Sequence, residues 1–302
     1  MGTPDFAVPS LKILIDNGYR IPAVVTAPDK PRGRGQELSP TPIKNVAVHY
    51  KLPLLQPDSL KDPLFVQSVQ SMRPDLIVVV AFRILPREIL TIPKLGSFNL
   101  HASLLPKYRG AAPINWAIIK GERETGVTTF LLQEKVDTGN VVLQARMPIA
   151  DDDDAGTLHD KLADVGAEIV LHTVRMMEQG KASPRPQENA LASPAPKIFK
   201  EDCHIEWNHP ALQVHNFIRG LSPHPAAFAR HNGRILKVYK TRMLDVPSRT
   251  SPGSVVASPS TLHISTTDTM LDIIELQQEG RKRMGVEEFL RGYKIASDDT
   301  LE

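Results

Sequence analysis

An α/β fold, doubly wound around a mostly parallel sheet and followed by a smaller β-barrel, is what this 302-residue sequence predicts. Three observations predict it. Short apolar runs alternate with amphipathic ones through the first 150 residues, the pattern of strands and helices taking turns along a parallel sheet. Residues 75–82, "DLIVVVAF", are almost all apolar, as a strand covered on both faces must be. From residue 181, "KASPRPQENALASPAPK" concentrates Pro, Ser and Ala without periodicity, and beyond it short β-type segments recur between turn residues, which fits a barrel of about 100 residues. The expected organisation is a catalytic domain over residues 1–180, a linker over 181–200 and a second domain over 201–302.

The elements follow in order. "MGTPDFAVPSLKILIDNGY" opens with a glycine-containing turn that leads into a helix, with no strand before the turn. A doubly wound sheet normally lays its first central strand there, so the reading expects an upstream strand of about five to eight apolar, β-prone residues, with Met1 at its end. "IPAVVTA" and "LPLLQP" read as strands and "IKNVAVHY" and "PLFVQSVQSM" as helices, followed by "DLIVVVAF", a helix begun by Pro86, and the strand "GSFNLHA". After a helix near residues 113–120, "TGVTTFLLQ" and "NVVLQARMPI" form two further strands joined by "EKVDTG". "DDDDAGTLHDKLADVGAEIVLHTVRMM" begins with N-cap candidates and continues as a long helix, its acids suited to the positive N-terminal dipole. Past the linker, "HPALQVHNFIRGL" reads as a helix, and "AAFARHNG", "RILKVYKTRML", "GSVVASP", "TLHISTTD" and "MLDIIELQQ" as strands.

Composition narrows the function. Hydrophobic residues make up 41% and charged residues 23% of the chain, and no apolar run approaches the ~20 residues of a membrane span. Cys203 is the single cysteine, which excludes an internal disulfide and a multi-cysteine zinc site; with no signal-peptide pattern at the start, a cytoplasmic location without membrane partners is expected. Net charge is only +2, so affinity for a polyanion has to come from local patches. One is residues 219–242, where Arg219, Arg230, Arg234, Lys237, Lys240 and Arg242 occur without an acid and with Phe228 and Tyr239 between them.

No G-x-S-x-G, H-E-x-x-H or G-x-x-x-x-G-K-[ST] pattern occurs, which leaves serine-hydrolase, zincin and P-loop chemistry without their signatures. "GRGQEL" carries only the first two glycines of a dinucleotide fingerprint, and "DTG" occurs once, not in the paired lobes of an aspartic protease. What remains is Asn99, His101 and Asp137. Positions i and i+2 of a strand face the same side, so the Asn99 amide and the His101 imidazole converge outside a strand's carboxyl end, where open α/β sheets place ligands. An amide and an imidazolium suit a carbonyl oxygen that gains negative charge, and Asp137 is the carboxylate to orient the histidine. Singly, each has a structural alternative: a strand-end cap, a satisfied buried ring, an Asx-turn. Together they point to one site.

"FNLHASLLPKYRGAAPINWAI" resembles the signature of the folate-dependent formyltransferases, with its N-x-H pair, S-L-L-P turn and following R-G, and "VDTG" matches that family's later aspartate motif. The resemblance covers nearly the whole chain. It implies a Rossmann-like formyltransferase domain, an OB-like C-terminal tRNA-binding domain, and transfer of a formyl group from 10-formyltetrahydrofolate without a metal. The start "GTPDFAVPSL" and the loop "APDKPRGRGQELSPTPIK" are most similar to the branch whose acceptor is initiator methionyl-tRNA; an amino-sugar nucleotide acceptor and a non-catalytic tRNA-binding homologue are the alternatives. It further implies that Asn99 and His101 stabilise an oxyanion, that Asp137 holds His101 and relays a proton, and that Ser103, Leu104, Leu105 and Pro106 form the folate wall. Arg34 matches the loop's key arginine, Arg32 stands where the pattern is looser, and Lys237 and Lys240 of the basic run complete the tRNA contacts. A monomer is expected. One departure is "AFRILP", a residue shorter than the family's A-Y-G-x-I-L-P, which puts Phe82 and Arg83 where a glycine is common.

Overall fold

The computed structural model describes residues 1–32 and 37–302. The chain divides into two compact units, one of Met1–Gly110, Thr125–Met147 and His159–Pro194, the other of Ala111–Glu124, Pro148–Leu158 and Ala195–Glu302. The helix expected at 113–120, α5 below, thus belongs with the C-terminal part of the chain. Residues 181–194, expected as linker, belong with the first unit, where Arg185 and Val141 exchange two backbone hydrogen bonds of 2.8 Å.

In the first unit the strands are β1 (Val24–Val25), β2 (Lys30–Arg32), β3 (Glu37–Ser39), β4 (Leu54–Leu55), β5 (Ile77–Val80), β6 (Ser97–His101), β7 (Glu124–Leu131) and β8 (Val141–Pro148). Helices α1 (Val8–Asp16), α2 (Pro42–His49), α3 (Pro63–Met72) and α4 (Arg87–Leu90) alternate with them. Thr41 caps α2 by accepting from the Lys44 amide, and Asp62 caps α3 by accepting from that of Leu64; each helix has proline in its first turn, where the missing N–H costs nothing. Val25, Phe65, Val69, Ile77, Val79 and Ile89 form a core.

The sheet is mixed, which corrects the expectation of a mostly parallel one. β1 and β4 form a parallel pair, while β5-β6-β7-β8 form a separate sheet in which β5 and β6 are parallel and β6 and β7 antiparallel. Met1 and Gly2 bridge the two sheets at the place expected for an upstream strand. The Met1 amine donates to the Val78 carbonyl at 2.7 Å, Val80 N–H to the Met1 carbonyl at 2.9 Å, and Gly2 N–H to the Val25 carbonyl at 3.0 Å. Burial pushes the Met1 amine pKa down to about 5. A cavity of about 160 Å³ lined by Leu14, Val24, Ile77 and Val80 lies beside it.

The second unit contains α5 (Pro113–Ile119), α7 (Ala211–Leu221), α8 (Val286–Gly292) and strands β9 (Ala227–His231), β10 (Arg234–Pro247), β11 (Val255–Ala257), β12 (Leu262–Ser265), β13 (Thr269–Gln278) and β14 (Met284–Gly285). The long helix α6 (Ala155–Glu178) begins here: Asp154 accepts from the Thr157 amide and Thr157 Oγ1 from the Asp154 amide, a reciprocal N-cap in the expected acidic run. The strands follow one open path, β9-β10-β13-β12-β11, with β14 on β13, a coiled open sheet where an OB-like barrel was expected. Register shifts near Val238, Lys240 and Leu244 interrupt β10, and such bulges coil a sheet. Ile218, Leu236, Leu262, Ile264 and Leu271 fill its core, and the tail covers an edge through Arg230 and Glu302, which exchange backbone hydrogen bonds.

Candidate active site

Because β5 and β6 are parallel neighbours, the loops that leave them, residues 81–86 and 102–110, emerge at one edge of the sheet. The loop after β4 joins them there: Arg83 donates from Nη1 to the Asp58 carbonyl and from Nη2 to that of Pro57, both at 2.7 Å. Arg83 thus ties two loops together, and its buried Nε has no partner. A groove here is lined by Leu60, Leu85 and Pro86 together with Lys61, Arg83 and Arg87 and the acids Asp58, Glu88 and Glu134, the last paired with Arg87.

Asn99 is half-buried and His101 buried on the last turnout of β6. His101 Nε2 lies 2.8 Å from the Tyr108 carbonyl; a carbonyl only accepts, so Nε2 carries the proton. Nδ1 faces Asp137, whose Oδ2 stands 4.0 Å away. The carbonyl of Tyr108, which sequence reasoning missed, is therefore the direct orienting partner, and the carboxylate stands off at more than hydrogen-bond distance. Asp137 Oδ2 is itself held by the Gly110 amide at 3.0 Å. The Asp137 backbone is left-handed, with φ of 52°, a conformation Asp tolerates better than most residues. Gly139 follows because a Cβ there would lie 1.6 Å from the Leu131 carbonyl oxygen.

The S-L-L-P segment splits by burial. Ser103 and Leu105 are buried, Leu104 and Pro106 half-buried. Ser103 Oγ donates to the Lys107 carbonyl at 2.6 Å, so this side chain braces the turn. Thr128, opposite His101 in the register, donates to the Ser103 carbonyl at 2.6 Å and accepts from the Leu105 amide at 3.1 Å and Gln144 Nε2 at 3.0 Å. Nothing in the strand pattern around Thr128 or Gln144 marked them; their role comes from cross-strand register.

Of the basic residues, Arg34 lies outside the described residues, and only the backbone of Arg32 is described, paired with Glu37. Lys237 is half-buried, its Nζ 3.4 Å from the Pro225 carbonyl, while Lys240, Arg230 and Arg234 are exposed. Arg219 donates to Asn216 and to the Asp153 carbonyl, and Arg242 pairs with Asp272, so these two are internal braces. Among the described residues no group of three His, Cys, Asp or Glu could hold a metal ion, and no helix is long and apolar enough to cross a membrane.

The sequence matches the family model described as Formyl transferase over residues 1–174 and that described as Formyl transferase, C-terminal domain, over residues 197–294. It is 48% identical to the methionyl-tRNA formyltransferase of Caldanaerobacter subterraneus subsp. tengcongensis, over 100% of this chain and 98% of that protein. With the methionyl-tRNA formyltransferase of Bacteroides fragilis it shares 46% identity, over 98% of this chain and 94% of that protein. Among solved structures, the N-formyltransferase of Helicobacter canadensis in complex with folinic acid and dTDP-3-aminofucose is similar with a TM-score of 0.64 at 21% identity, over 92% of this chain and 97% of that one. HypX from Aquifex aeolicus in complex with tetrahydrofolic acid gives a TM-score of 0.61 at 21% identity, over 84% of this chain and 47% of that one. At such identity the likeness to the two structures is one of fold alone.

Proposed function

The chain belongs to the formyl transferase family, and from that premise we propose that it transfers the formyl group of 10-formyltetrahydrofolate to the α-amino group of initiator methionyl-tRNA. The observation that carries the acceptor is the likeness, over the full chain, to relatives that bear that activity in their names. The geometry supports the chemistry. Asn99 and His101 share one side of a strand end, and with Nε2 committed to Tyr108, the working nitrogen of His101 is Nδ1, the one that faces Asp137.

In this reading the Asn99 amide and a proton on His101 Nδ1 stabilise the oxygen of the formyl group as the amine attacks its carbon. Charge that develops only in the transition state is where such donors act most strongly. Asp137 takes up the proton that the amine loses and returns it to the departing folate nitrogen, while its carboxylate faces His101 Nδ1 at 4.0 Å. Leu104 and Pro106 supply apolar surface for the folate, while Ser103 and Leu105 keep the turn in shape. The groove after β5 offers the apolar side chains Leu60, Leu85 and Pro86 to an aromatic ligand, and its charges, Lys61, Arg83 and Arg87 against Asp58, Glu88 and Glu134, balance. Positioning of both substrates supplies much of the rate.

Arg32 and Arg34 engage the acceptor end of the tRNA, and Lys237 and Lys240, on the coiled sheet read as an OB-like surface, contact its phosphates; Arg230 and Arg234 join them. Such contacts weaken as salt rises. A reaction on charged tRNA belongs in the cytoplasm, and the chain acts as a monomer. The test is to incubate the purified chain with 10-formyltetrahydrofolate and either methionine-charged initiator tRNA or an amino-sugar nucleotide. Formylation of the tRNA alone is expected; formylation of the sugar nucleotide, or of neither, would contradict the reading.

A further inference from the structure

Gln187 lies in the segment that the sequence marks only as proline-rich, yet its side chain touches both motifs of the site. Its Nε2 donates to the Asp137 carbonyl at 2.9 Å and to the Gly139 carbonyl at 2.8 Å. Its Oε1 accepts from Arg109 Nε at 3.1 Å and Nη2 at 2.7 Å. The amide has one orientation: turned over, its oxygen would face two carbonyls and its nitrogen a guanidinium, each pair like with like. Arg109 is fixed in turn, since Nη2 also donates to Asn189 Oδ1 at 2.9 Å and its amide donates to the Ser193 carbonyl at 2.9 Å. The backbone that follows the turn is anchored too, through the paired Arg185 and Val141.

The clamp meets the turn at its strained residue. A non-glycine residue held at positive φ persists only where its surroundings over-determine it, and Asp137 is that residue. Gln187 holds the carbonyl of Asp137 on one side, and the Gly110 amide holds its carboxylate on the other. Arg109 and Gly110 are adjacent, so the guanidinium that anchors Gln187 and the amide that anchors the carboxylate are carried by one short stretch of backbone.

We propose that Gln187 is a positioning residue for formyl transfer, which sets the Asp137 carboxylate relative to His101 by clamping the turn of residues 137–139 to Arg109. The proposal rests on the catalytic reading above. Two substitutions of similar size separate positioning from mere bracing. Gln187→Glu keeps an acceptor for Arg109 but presents an oxygen to the two carbonyls; Gln187→Met removes both sets of bonds. If Gln187 serves only to pin Arg109, Gln187→Glu should behave as the wild type. If it positions Asp137, both variants should lose kcat by about tenfold to a hundredfold, the range expected for displacement of a reacting group by up to an ångström, with KM for both substrates within about twofold.

Amide hydrogen exchange at Gly110, whose N–H rests on Asp137 Oδ2, reads the carboxylate without reference to activity. It should accelerate by about tenfold or more in both variants, as a lost hydrogen bond of about 1.4 kcal/mol requires. Unchanged Gly110 exchange in both variants overturns the clamp whatever the activity. Accelerated exchange with kcat within twofold of wild type overturns the positioning role. A wild-type chain that formylates nothing overturns the catalytic reading instead, and is told apart because Gly110 exchange still responds to the substitutions.

Discussion

Replacing Thr128 by valine exchanges a hydroxyl for a methyl group of nearly the same shape. Thr128 is 0% exposed, and its hydroxyl joins β7 to the S-L-L-P turn through the Ser103 carbonyl, the Leu105 amide and Gln144. Gln144 retains the Leu105 carbonyl at 2.8 Å, so the substitution orphans two backbone groups, one acceptor and one donor. Each orphan costs about 1–3 kcal/mol, and the added methyl returns about 0.8 kcal/mol, for a net loss of about 1–5 kcal/mol. At about 2–4 °C per kcal/mol for a unit of 150–250 residues, Tm should fall by several degrees, on the order of 10 °C. The distorted turn should also raise KM for 10-formyltetrahydrofolate, whereas Thr128→Ser, which keeps the hydroxyl, should lose no more than about 1 kcal/mol and keep its KM. Calorimetry and steady-state kinetics on the two variants read these effects. A Thr128→Val chain that melts within about 1 °C of the wild type with unchanged KM would refute the assignment of Thr128 as the anchor of the turn.

Gly139→Ala would place a methyl group 1.6 Å from the Leu131 carbonyl oxygen; the obstacle is backbone, so the turn that carries Asp137 must move, and kcat should drop by about a hundredfold while tRNA binding is retained. Partial burial of His215 on α7, and then the Arg219 charge beside it, push its pKa down to about 4. Its neutral form is favoured in the folded state, so its contribution is complete above the unfolded pKa of about 6.5 and is lost as pH falls toward 4, by up to about 3 kcal/mol; urea unfolding of His215→Gln should show a flatter slope between those limits. Glutamate at Arg230, Arg234 and Lys240 together should weaken tRNA binding and lower its salt dependence by about one log unit per lost phosphate contact, leaving use of a small amine acceptor unchanged; filter binding at several salt concentrations checks this.

Elements whose neighbours lie within their own sequence pattern were legible. The apolar run at residues 77–80 is the buried strand it reads as, and the acids before residue 155 cap the helix they precede. Strand pairing was not legible, because a period of two residues fixes which face a side chain takes and says nothing of which strand lies beside it. The antiparallel entry of β7 and the strand order of the C-terminal sheet depend on such pairing, and the membership of α5 in the second unit on its packing against α7. At the site, Asn99 and His101 were legible because one strand carries both. Tyr108, Thr128 and Gln187 were not: each acts through a contact made by a fold in the chain, and two of the three use hydrogen bonds that span 25 or more positions. Arg83 broke a local pattern, and the structure gives its compensation in the two carbonyls it holds.

Single-turnover formylation of methionine-charged initiator tRNA, with saturating 10-formyltetrahydrofolate, by the wild type and by His101→Ala and Asn99→Ala tests most directly that the end of β6 is the catalytic centre. Loss of one donor to a developing oxyanion costs about 3 kcal/mol, or about two orders of magnitude in rate. The account predicts that loss in each variant, with tRNA affinity within about twofold of the wild type, because the donors act on the transition state and not on the bound acceptor. Formylation at the wild-type rate by either variant would contradict the account.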